Sequence, residues 1–396
     1  MSNNKCFVSG DEAVALGARL ARPNVISAYP ITPQTIVVER LSEFVEDGSL
    51  EAEFMHVESE HSAMSAAMGV SSVGARAFTA TSSQGLLHMS EGLHYASGAR
   101  FPIVMMNANR ALAVPWSIYG DQSDSMSQLN SGWIQVYVED AQEALDMTIQ
   151  AYKIAEDENV LTPFMVNLDG FILTHTYELL NVPNQEKVDE FLPKYETENK
   201  MDLENPKSLC FSSTPLDNLE FKYQQHMAMI NSKEVIEKVD KDYGDKFGRY
   251  YGGLIEEYKC DDASVLLVTV GSVTGTARVV VDNMRSEGIK VGLVKLRYMR
   301  PFPEEKIIEL SKNVDKIGVI DKNISHGYEG TVFTHINSAL SKMNNSPKTI
   351  NFIGGMGGRD ISKEDIKDIF KSLLKTTNED KEKTVQFIGM GCEIDE

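Results

Sequence analysis

Cysteine is scarce in this chain, and its few copies lie far apart. The 396 residues include four cysteines, Cys6, Cys210, Cys260 and Cys392, and no two of them form a C-x-x-C pair. Iron–sulfur clusters and structural zinc sites need closely spaced thiolates. The sequence therefore predicts reduced, mostly structural thiols and no metal ligands on this chain.

An excess of basic residues and long apolar runs are also missing. The 38 lysines and arginines are outnumbered by 58 aspartates and glutamates, for a formal charge of -20. Nucleic acids and anionic membrane surfaces bind basic faces, so neither is an expected partner. No apolar run reaches the roughly 18 residues that cross a bilayer, and the first residues, MSNNKCFVSGDEAV, lack the apolar core of a signal peptide. We expect a soluble, cytoplasmic protein.

The glycine signatures of nucleotide-binding enzymes are absent as well. The loop at 271–276, GSVTGT, opens a predicted helix and can place amide groups around a phosphate, but it is not G-x-G-x-x-G. The polar loop at 119–126, YGDQSDSM, has neither the spacing of a P-loop nor that of a calcium loop. These absences disfavour a stand-alone oxidoreductase that binds a dinucleotide.

What the chain does contain is enough apolar sequence for a large core. With 42% hydrophobic residues, we expect an α/β protein of two parallel-sheet domains joined by a connecting region. Strands and helices alternate in residues 1–181 and again in 263–396, a pattern typical of parallel sheets covered by helices. Residues 182–262 are charged, punctuated by proline and largely helical, notably over 221–242, which predicts the connecting region.

The stretch at 56–86, HVESEHSAMSAAMGVSSVGARAFTATSSQGL, combines a candidate acid with a closely packing surface. Glu58 and Glu60 precede a run of serine, alanine and glycine, which another backbone or a flat ligand can approach closely. A buried strand over 77–81 then ends in a polar turn at 82–85. Ligands bind at the carboxyl ends of parallel strands, so a carboxylate and this turn are expected to face one site.

A second strand end is made rigid by proline. The predicted strand at 25–29 runs into the loop YPITP at 29–33, followed by a helix near Gln34. The two prolines fix the backbone of this loop and push their preceding residues away from the helical region. The loop can therefore aim the hydroxyl of Thr32 into a site. The alternative is a simple turn with Pro33 at the first position of the helix.

A third strand end carries an arginine. The continuous apolar run at 101–107 is suited to a central parallel strand, and Arg110 follows it. The guanidinium fork matches a carboxylate or a phosphate, so Arg110 is a candidate for holding a substrate anion. An ordinary surface salt bridge is the competing interpretation. The glycine-rich loop at 354–360, GGMGGRD, raises the same choice between an anion pocket and a turn before a helix.

Assembled in order, these stretches resemble a known family. Over nearly the whole chain, the sequence resembles the α subunit of the multi-subunit 2-oxoacid:ferredoxin oxidoreductases, most closely the pyruvate:ferredoxin type. The motifs that carry the resemblance are SAYPITPQT at 27–35, VESEHSA at 57–63, TATSSQGL at 79–86, SGARFPIV at 97–104, NRA at 109–111, DQSDS at 121–125, RPFP at 300–303 and GGRD at 357–360.

The resemblance implies a thiamine diphosphate enzyme that splits a 2-oxoacid, passes two electrons to external ferredoxin and forms an acyl-CoA from coenzyme A. It implies a pyrimidine-binding-like domain followed by a transketolase C-terminal-like domain. In the family, a β subunit holds the diphosphate and Mg²⁺ through a G-D-G motif, and partner subunits carry the iron–sulfur clusters. Neither G-D-G nor cluster cysteines occur here. The chain is therefore expected to be inactive without β, γ and ferredoxin-like δ subunits.

The resemblance also implies roles for individual residues. Glu60 matches the glutamate that hydrogen-bonds to the aminopyrimidine ring of the cofactor, and Glu58 is the physical runner-up. Arg110 would pair with the substrate carboxylate, and Thr32 would donate to that carboxylate or to the keto oxygen. Pyruvate is the expected substrate; branched-chain and aryl 2-oxoacids, and a non-catalytic assembly subunit, are the alternatives. The expected cofactor-binding residues are Glu60, Tyr29, Pro30, Ser83 and Gln84.

Overall fold

The computed structural model describes residues 5–209, 212–376 and 384–391. In these ranges the chain forms a seven-stranded sheet, a six-stranded sheet and a two-stranded antiparallel pair. The strands are β1 (Lys5–Ser9), β2 (Val25–Ala28), β3 (Glu53–His56), β4 (Ala77–Ser82), β5 (Val104–Asn109), β6 (Ile134–Tyr137), β7 (Phe164–Asp169), β8 (Tyr177–Asn181), β9 (Ile255–Tyr258), β10 (Val265–Thr269), β11 (Val291–Leu296), β12 (Tyr298–Arg300), β13 (Lys316–Asp321), β14 (Lys348–Ile353) and β15 (Val385–Phe387).

Helices alternate with these strands along most of the chain. The helices are α1 (Gly10–Ala21), α2 (Thr35–Glu46), α3 (Glu60–Ser72), α4 (Ser83–His88), α5 (Ser90–Gly98), α6 (Ser123–Met126), α7 (Ala141–Ala155), α8 (Gln185–Phe191), α9 (Asn218–Phe247), α10 (Val273–Ser286), α11 (Glu304–Ser311), α12 (Thr331–Leu340) and α13 (Lys363–Lys375), with a short 3₁₀ turn at Met356–Gly358.

The seven-stranded sheet has the order β12-β6-β7-β5-β4-β2-β3, and all its pairings are parallel except that of β12 with β6. Its central strand β5 is buried on both faces, because Val104 and Met106 pack into one apolar cluster and Met105 into another. The predicted parallel α/β architecture is confirmed, and the carboxyl ends of β2, β4, β5 and β7 meet at one edge.

Helix α1 lies very close to α7 because its contact face is built from small residues. A Cβ atom at Gly17 would lie 2.6 Å from the backbone oxygen of Leu145 in α7. The side chain of Ser9 caps α1 by accepting from the backbone N–H of Glu12, whose carboxylate accepts from the N–H of Ser9. The close contact between α1 and α7 thus depends on the absence of a side chain at Gly17.

The six-stranded sheet has the order β15-β14-β13-β10-β11-β9 and is parallel except for β9. Leu266 and Val268 of β10 face one apolar cluster, and Val265 and Leu267 face the other. Helices therefore cover both faces of this sheet as well. The second α/β unit that the sequence predicted is present.

Strand β12 belongs to the other sheet. Its residues follow β11 in the chain, yet Tyr298 and Arg300 pair with β6 of the seven-stranded sheet. This exchange has no counterpart among the predicted strands, since three residues carry no strand signal of their own. The domain limits at 181 and 262 stay predictions.

Buried ion pairs fix the two sheets to each other. Glu143 of α7 lies 2.6 Å from Lys295 and 2.9 Å from Arg297, and all three side chains are almost fully buried. Burial opposes ionisation of Glu143, but the two cations outweigh it and lower its pKa to about 2. Removing one partner would leave a buried charge uncompensated, so this contact holds the two units in a defined arrangement.

The connecting region contains the 30-residue helix α9, which confirms the helix predicted over 221–242. Tyr243 of α9 donates to Asp146 of α7 at 2.7 Å, and this contact holds α9 against the first sheet. Cys6 and Cys260 are half-buried free thiols, whereas Cys210 and Cys392 lie outside the described residues. Among the described helices, none combines the length and apolarity needed to cross a membrane.

Candidate active site

Glu60 is the first residue of helix α3, at the edge of the sheet where the parallel strands end. Ser59 caps the helix by accepting from the N–H of Ser62 at 3.2 Å, which fixes the direction in which α3 begins. The Glu60 residue is only 8% exposed. Its Oε2 atom lies 3.3 Å from Nδ1 of His88. The local sequence therefore holds one carboxylate in a mostly buried position, next to a titratable ring.

Glu58, the alternative acid, lies in a different environment. Its exposed side chain accepts a hydrogen bond from the hydroxyl of Ser62, and this bond lowers the pKa of Glu58. Its carboxylate is at the start of α3, where a negative charge is favourable. This geometry agrees with the helix-dipole interpretation of Glu58 and favours Glu60 as the acid of a buried site.

Gly85 packs directly against the side chain of Glu60. A Cβ atom at Gly85 would lie 2.7 Å from Oε1 of Glu60 and 2.5 Å from Oγ1 of Thr81. These distances are too short for any real Cβ contact, so only glycine lets the carboxylate and the strand end approach each other. The glycine of the predicted polar turn is therefore a steric requirement of the site.

Ser83 has a left-handed backbone conformation, with φ of 51°. Two hydrogen bonds of the buried Ser83 hold this conformation. Its N–H donates to Oδ2 of Asp124 at 3.0 Å, and its hydroxyl donates to the backbone oxygen of Ala111 at 2.7 Å. A serine rarely adopts such a conformation without support. Helix α4 starts at this residue, so the predicted turn at 82–85 is mostly the first turn of a helix.

Asp124 is the residue that joins the strand ends, and it is fully buried. Burial raises its pKa to about 6 although its hydrogen bonds oppose the shift. No cation lies within ion-pair distance of Asp124 among the described residues, so all its hydrogen bonds come from neutral donors. These donors are the backbone N–H groups of Ser83, Arg110 and Ser125 and the side-chain amides of Asn107 and Asn109.

Arg110 and Thr32 are brought together. Nη1 of Arg110 donates to the backbone oxygen of Thr32 at 2.8 Å, and Nε donates to the backbone oxygen of Ser117 at 3.1 Å. Burial lowers the pKa of the Arg110 guanidinium, and the nearby charge of Asp124 opposes that shift. Among the described residues no carboxylate forms an ion pair with Arg110, which argues against the surface salt bridge. The guanidinium keeps N–H groups free for an anion.

The remaining predicted site residues lie around this edge. The side chain of Gln84 is exposed, and its Oε1 atom lies 2.6 Å from the Ser83 hydroxyl. Tyr29 and Pro30 form the exposed end of β2. Gln34 is fully buried and ties this loop to the sheet by donating to the backbone oxygens of Tyr29 at 2.9 Å and of Ala80 at 3.1 Å.

Several buried polar atoms at these strand ends have no partner in the part of the chain that the structure describes. Unpaired buried polar groups are costly and call for a ligand or water. One of them, Oγ1 of Thr81, lies close to the same Cβ position of Gly85 as Oε1 of Glu60 does. The atoms are Oε1 of Gln34, Oγ1 of Thr79 and Thr81, Oγ of Ser82, and Oδ1 of Asn107 and Asn109.

Sequence reasoning missed Asp124, Gly85 as a steric requirement, and His88. The loop that contains Asp124 matches neither a phosphate nor a calcium pattern, and its DQSDS motif carried the resemblance without a role for Asp124. An aspartate in a loop without a neighbouring cation was a usable signal for a structural role. If such a carboxylate is buried, neutral donors must satisfy it. His88 carried no signal, because its contact with Glu60 depends on the angle between α3 and α4.

Two family models cover most of the chain. Residues 16–241 match the model described as pyruvate flavodoxin/ferredoxin oxidoreductase, thiamine diphosphate-binding, and residues 263–366 match pyruvate:ferredoxin oxidoreductase core domain II. The chain belongs to the 2-oxoacid:ferredoxin oxidoreductase family. This finding confirms the resemblance drawn from the motifs, and it identifies residues 16–241 as a thiamine diphosphate-binding domain.

Curated relatives align over nearly their full length. The pyruvate synthase subunit PorA of Methanothermobacter thermautotrophicus is 47% identical over 97% of this chain and 97% of its own length. The PorA subunit of Methanocaldococcus jannaschii is 49% identical over 94% of this chain and 95% of its own. The ketoisovalerate oxidoreductase subunit VorA of Pyrococcus horikoshii is 45% identical over 95% of each chain.

Solved structures share the fold. The 2-oxoglutarate:ferredoxin oxidoreductase from Magnetococcus marinus, solved with 2-oxoglutarate, coenzyme A and succinyl-CoA bound, superposes with a TM-score of 0.73 and 20% identity. The match covers 94% of this chain and 66% of that one. A split-gene transketolase matches with a TM-score of 0.51 and 12% identity over 93% of this chain and 98% of its own. Both likenesses concern the fold alone.

Proposed function

We propose that this chain is the α subunit of a pyruvate:ferredoxin oxidoreductase and contributes the pyrimidine-binding half of a thiamine diphosphate site. The observation that carries the proposal is the position of Glu60, whose mostly buried carboxylate lies against Gly85 and near Thr81 at the edge where the parallel strands end. Oε1 of Glu60 accepts no hydrogen bond from any described residue, and Oγ1 of Thr81 is an unpartnered buried atom. A flat heteroaromatic ring with ring nitrogens and an amino group fits these donors and acceptors.

Thiamine diphosphate, when bound, supplies a carbon nucleophile and an electron sink for the 2-oxoacid. Glu60 holds a proton at the ring nitrogen of the pyrimidine, which sets the tautomer of the ring. Because Glu60 is mostly buried and starts a capped helix, its carboxylate stays oriented without rearrangement. Tyr29 and Pro30 follow β2, and Ser83 and Gln84 follow β4, at the same edge of the sheet. We assign these four residues to the cofactor side of the site.

Arg110 and Thr32 act on the substrate in this proposal. The free N–H groups of Arg110 pair with the carboxylate of the 2-oxoacid and neutralise its charge until CO₂ leaves. The hydrogen bond from Arg110 to the backbone oxygen of Thr32 at 2.8 Å keeps both residues next to each other. The hydroxyl of Thr32 donates to the substrate carboxylate or keto oxygen. Asp124 holds the backbone of Arg110 in place.

The other half of the active site is assigned to partner subunits. The chain has no G-D-G motif and no cluster of cysteines, and its described residues contain no group of three His, Cys, Asp or Glu that could hold a metal ion. A β subunit would supply G-D-G, Mg²⁺ and cluster cysteines. A γ subunit and a ferredoxin-like δ subunit would complete a cytoplasmic complex that uses coenzyme A and reduces external ferredoxin.

The second candidate substrate class is branched-chain 2-oxoacids. The VorA relative is almost as similar to this chain as the PorA relatives are, so overall identity does not separate the two substrates. Aryl 2-oxoacids are a further possibility within the same chemistry. A non-catalytic assembly subunit is disfavoured, because Glu60, Arg110 and Thr32 are all present at one edge of the sheet.

Reconstitution tests the proposal. The chain is co-expressed with its neighbouring subunits, and reduction of ferredoxin is measured with coenzyme A and pyruvate, 2-oxoisovalerate or an aryl pyruvate. We expect the highest kcat/KM with pyruvate and no activity of the chain alone. A preference for 2-oxoisovalerate would reassign the substrate. A complex that binds thiamine diphosphate but oxidises no 2-oxoacid would overturn the proposal.

A further inference from the structure

A cavity of about 880 Å³ lies on another side of the molecule, between α9, the loop after α6 and helices α11 and α12. Its size falls in the upper part of the range of small-molecule sites, roughly 300 to 1,000 Å³. The lining includes four cations, Lys222, Lys233, Arg300 and Lys342, against two carboxylates. The chain has a formal charge of -20, so most of its surface is expected to be acidic. A basic cavity is therefore an exception on this surface.

Two of the four cations are neutralised and two are not. Lys233 lies 2.7 Å from Glu305, and Lys342 lies 2.6 Å from Glu304. Lys222 donates to the neutral amide of Gln225 at 3.1 Å and forms no ion pair with any described residue. Arg300 has no carboxylate partner among the described residues. The cavity therefore keeps a positive charge at its mouth and another in its wall.

Arg300 is held in place by neutral acceptors. Its Nε donates to the backbone oxygen of Leu129 at 3.1 Å, its Nη1 to that of Met299 at 2.7 Å, and its Nη2 to Nε2 of His335 at 3.0 Å. These bonds use three of the five guanidinium N–H groups, so one N–H on each terminal nitrogen remains. A partly buried guanidinium that is rigid and has no countercharge is costly unless an anion completes it.

His335 adds a neutral ring beside Arg300. Its Nδ1 lies 2.8 Å from the backbone oxygen of Thr331, which accepts the ring proton, so Nε2 is free to accept from Arg300. The ring of Phe302 lies 5.4 Å from the His335 ring and also lines the cavity. An aromatic face next to an anion subsite fits a ligand that carries both a phosphate and a flat ring.

We propose that this cavity binds the phosphates of a nucleotide through Arg300 and Lys222, with the base against Phe302. The site is separate from the Glu60 edge. The same chemistry occurs in a free nucleoside diphosphate and in the nucleotide portion of coenzyme A. The second source rests on the proposed function, whereas the cavity and its unpaired cations do not.

Calorimetric titration of the full chain with ADP, coenzyme A and adenosine tests the proposal. We expect one saturable site for ADP or coenzyme A, and much weaker binding of adenosine, which lacks phosphate. Arg300→Gln should weaken binding about tenfold or more, as loss of a charge-assisted pair does. The tighter of the two phosphorylated ligands identifies the source of the nucleotide.

If Arg300→Gln disturbs folding, variants of exposed lysines still test the proposal. Lys222 is exposed, so Lys222→Gln should leave the fold unchanged and weaken binding several-fold. Lys290→Gln removes the same charge outside the cavity and should have no effect. Equal affinity in all variants, or no saturable binding at millimolar ligand, overturns the proposal. So does a result in which both cavity variants impair subunit assembly while the wild-type chain binds no ADP.

Discussion

Nη1 of Arg110 donates a hydrogen bond of 2.8 Å to the backbone oxygen of Thr32. The two residues are 78 positions apart in the sequence and follow different strands of the same parallel sheet. Asp124 accepts from the backbone N–H of Arg110 at 3.1 Å and from that of Ser83 at 3.0 Å. The substrate side and the cofactor side of the candidate site thus share one buried carboxylate.

Replacing Arg110 by alanine should weaken binding of the 2-oxoacid and leave cofactor binding intact. The loss of a charge-assisted pair with the substrate carboxylate is expected to lower kcat/KM by about 100-fold, mostly through KM. Arg110→Lys should recover part of the loss, since it keeps the charge but not the fork. Steady-state kinetics and the bound thiamine diphosphate of the purified complex are measured. Loss of cofactor would show that Arg110 is misplaced in this account.

The buried carboxyl of Asp124 predicts a pH dependence of stability with a defined sign. Its pKa of about 6 in the folded chain is above its ordinary value of 3.8, so between these values the folded chain binds more protons here than the unfolded chain. The contribution of Asp124 to the free energy of unfolding is therefore largest below about pH 4 and falls as the pH rises through 6.

Urea unfolding of wild type and Asp124→Asn measures this contribution. The stability of wild type relative to the variant should fall by about 2 kcal/mol between pH 4 and pH 6.5, since one pKa unit corresponds to about 1.4 kcal/mol and part of the shift lies outside this window. Asp282→Asn is the control. The Asp282 carboxylate lies on the surface, where the hydrogen bond from Lys259 lowers its pKa below this window. A difference that does not change with pH would contradict the burial argument.

Gly85→Ala should inactivate the assembled enzyme with little effect on folding of the second sheet. The new methyl group would overlap Oε1 of Glu60 and Oγ1 of Thr81, so the acid must move. We expect at least a 100-fold loss of kcat, because small displacements of a catalytic group have large effects. Gly275→Ala, in the interior of α10 with nothing within 4 Å of the new methyl, is the matched control and should keep full activity.

The exposed part of the small-residue face of α3 is predicted to meet a partner subunit. Ser65 is exposed on this face, and its hydroxyl donates only to the backbone oxygen of His61 at 2.9 Å. Ser65→Trp should therefore fold normally but fail to assemble, because the bulky ring prevents close approach. Size-exclusion chromatography of the co-expressed subunits reads this out. Asn231→Trp, at an exposed position of α9, should assemble as wild type does.

The apolar runs predicted the strands that form the site. The segments at 77–81 and 101–107 became β4 and β5 with small shifts at their ends, and Arg110 follows β5 as expected. This success has a local cause: continuous apolar runs identify buried parallel strands, and their carboxyl ends share one edge. The roles of Glu60, Thr32 and Arg110 came from the resemblance and remain predictions.

The features that sequence could not supply are long-range. The hydrogen bonds of Asp124 join three segments of the chain, and strand β12 pairs with β6 more than 150 residues earlier. Neither the hydrogen bonds of Asp124 nor the pairing of β12 produces a periodic pattern in the sequence, because both depend on how the helices and strands pack against each other. The Gly85 contact is also long-range. In the sequence, a glycine in a polar turn indicates only backbone flexibility, and its contact with the Glu60 carboxylate is visible only in the folded chain.

The central claim is that Glu60 is the acid of a shared thiamine diphosphate site, and exchange of the C2 proton of the cofactor tests it most directly. Bound thiamine diphosphate in the assembled complex is placed in D₂O, quenched with acid after set times and examined by NMR. Glu60→Gln is expected to slow the exchange by several orders of magnitude while cofactor binding persists, whereas Glu58→Gln leaves it nearly unchanged. Near-wild-type exchange in Glu60→Gln would contradict the account.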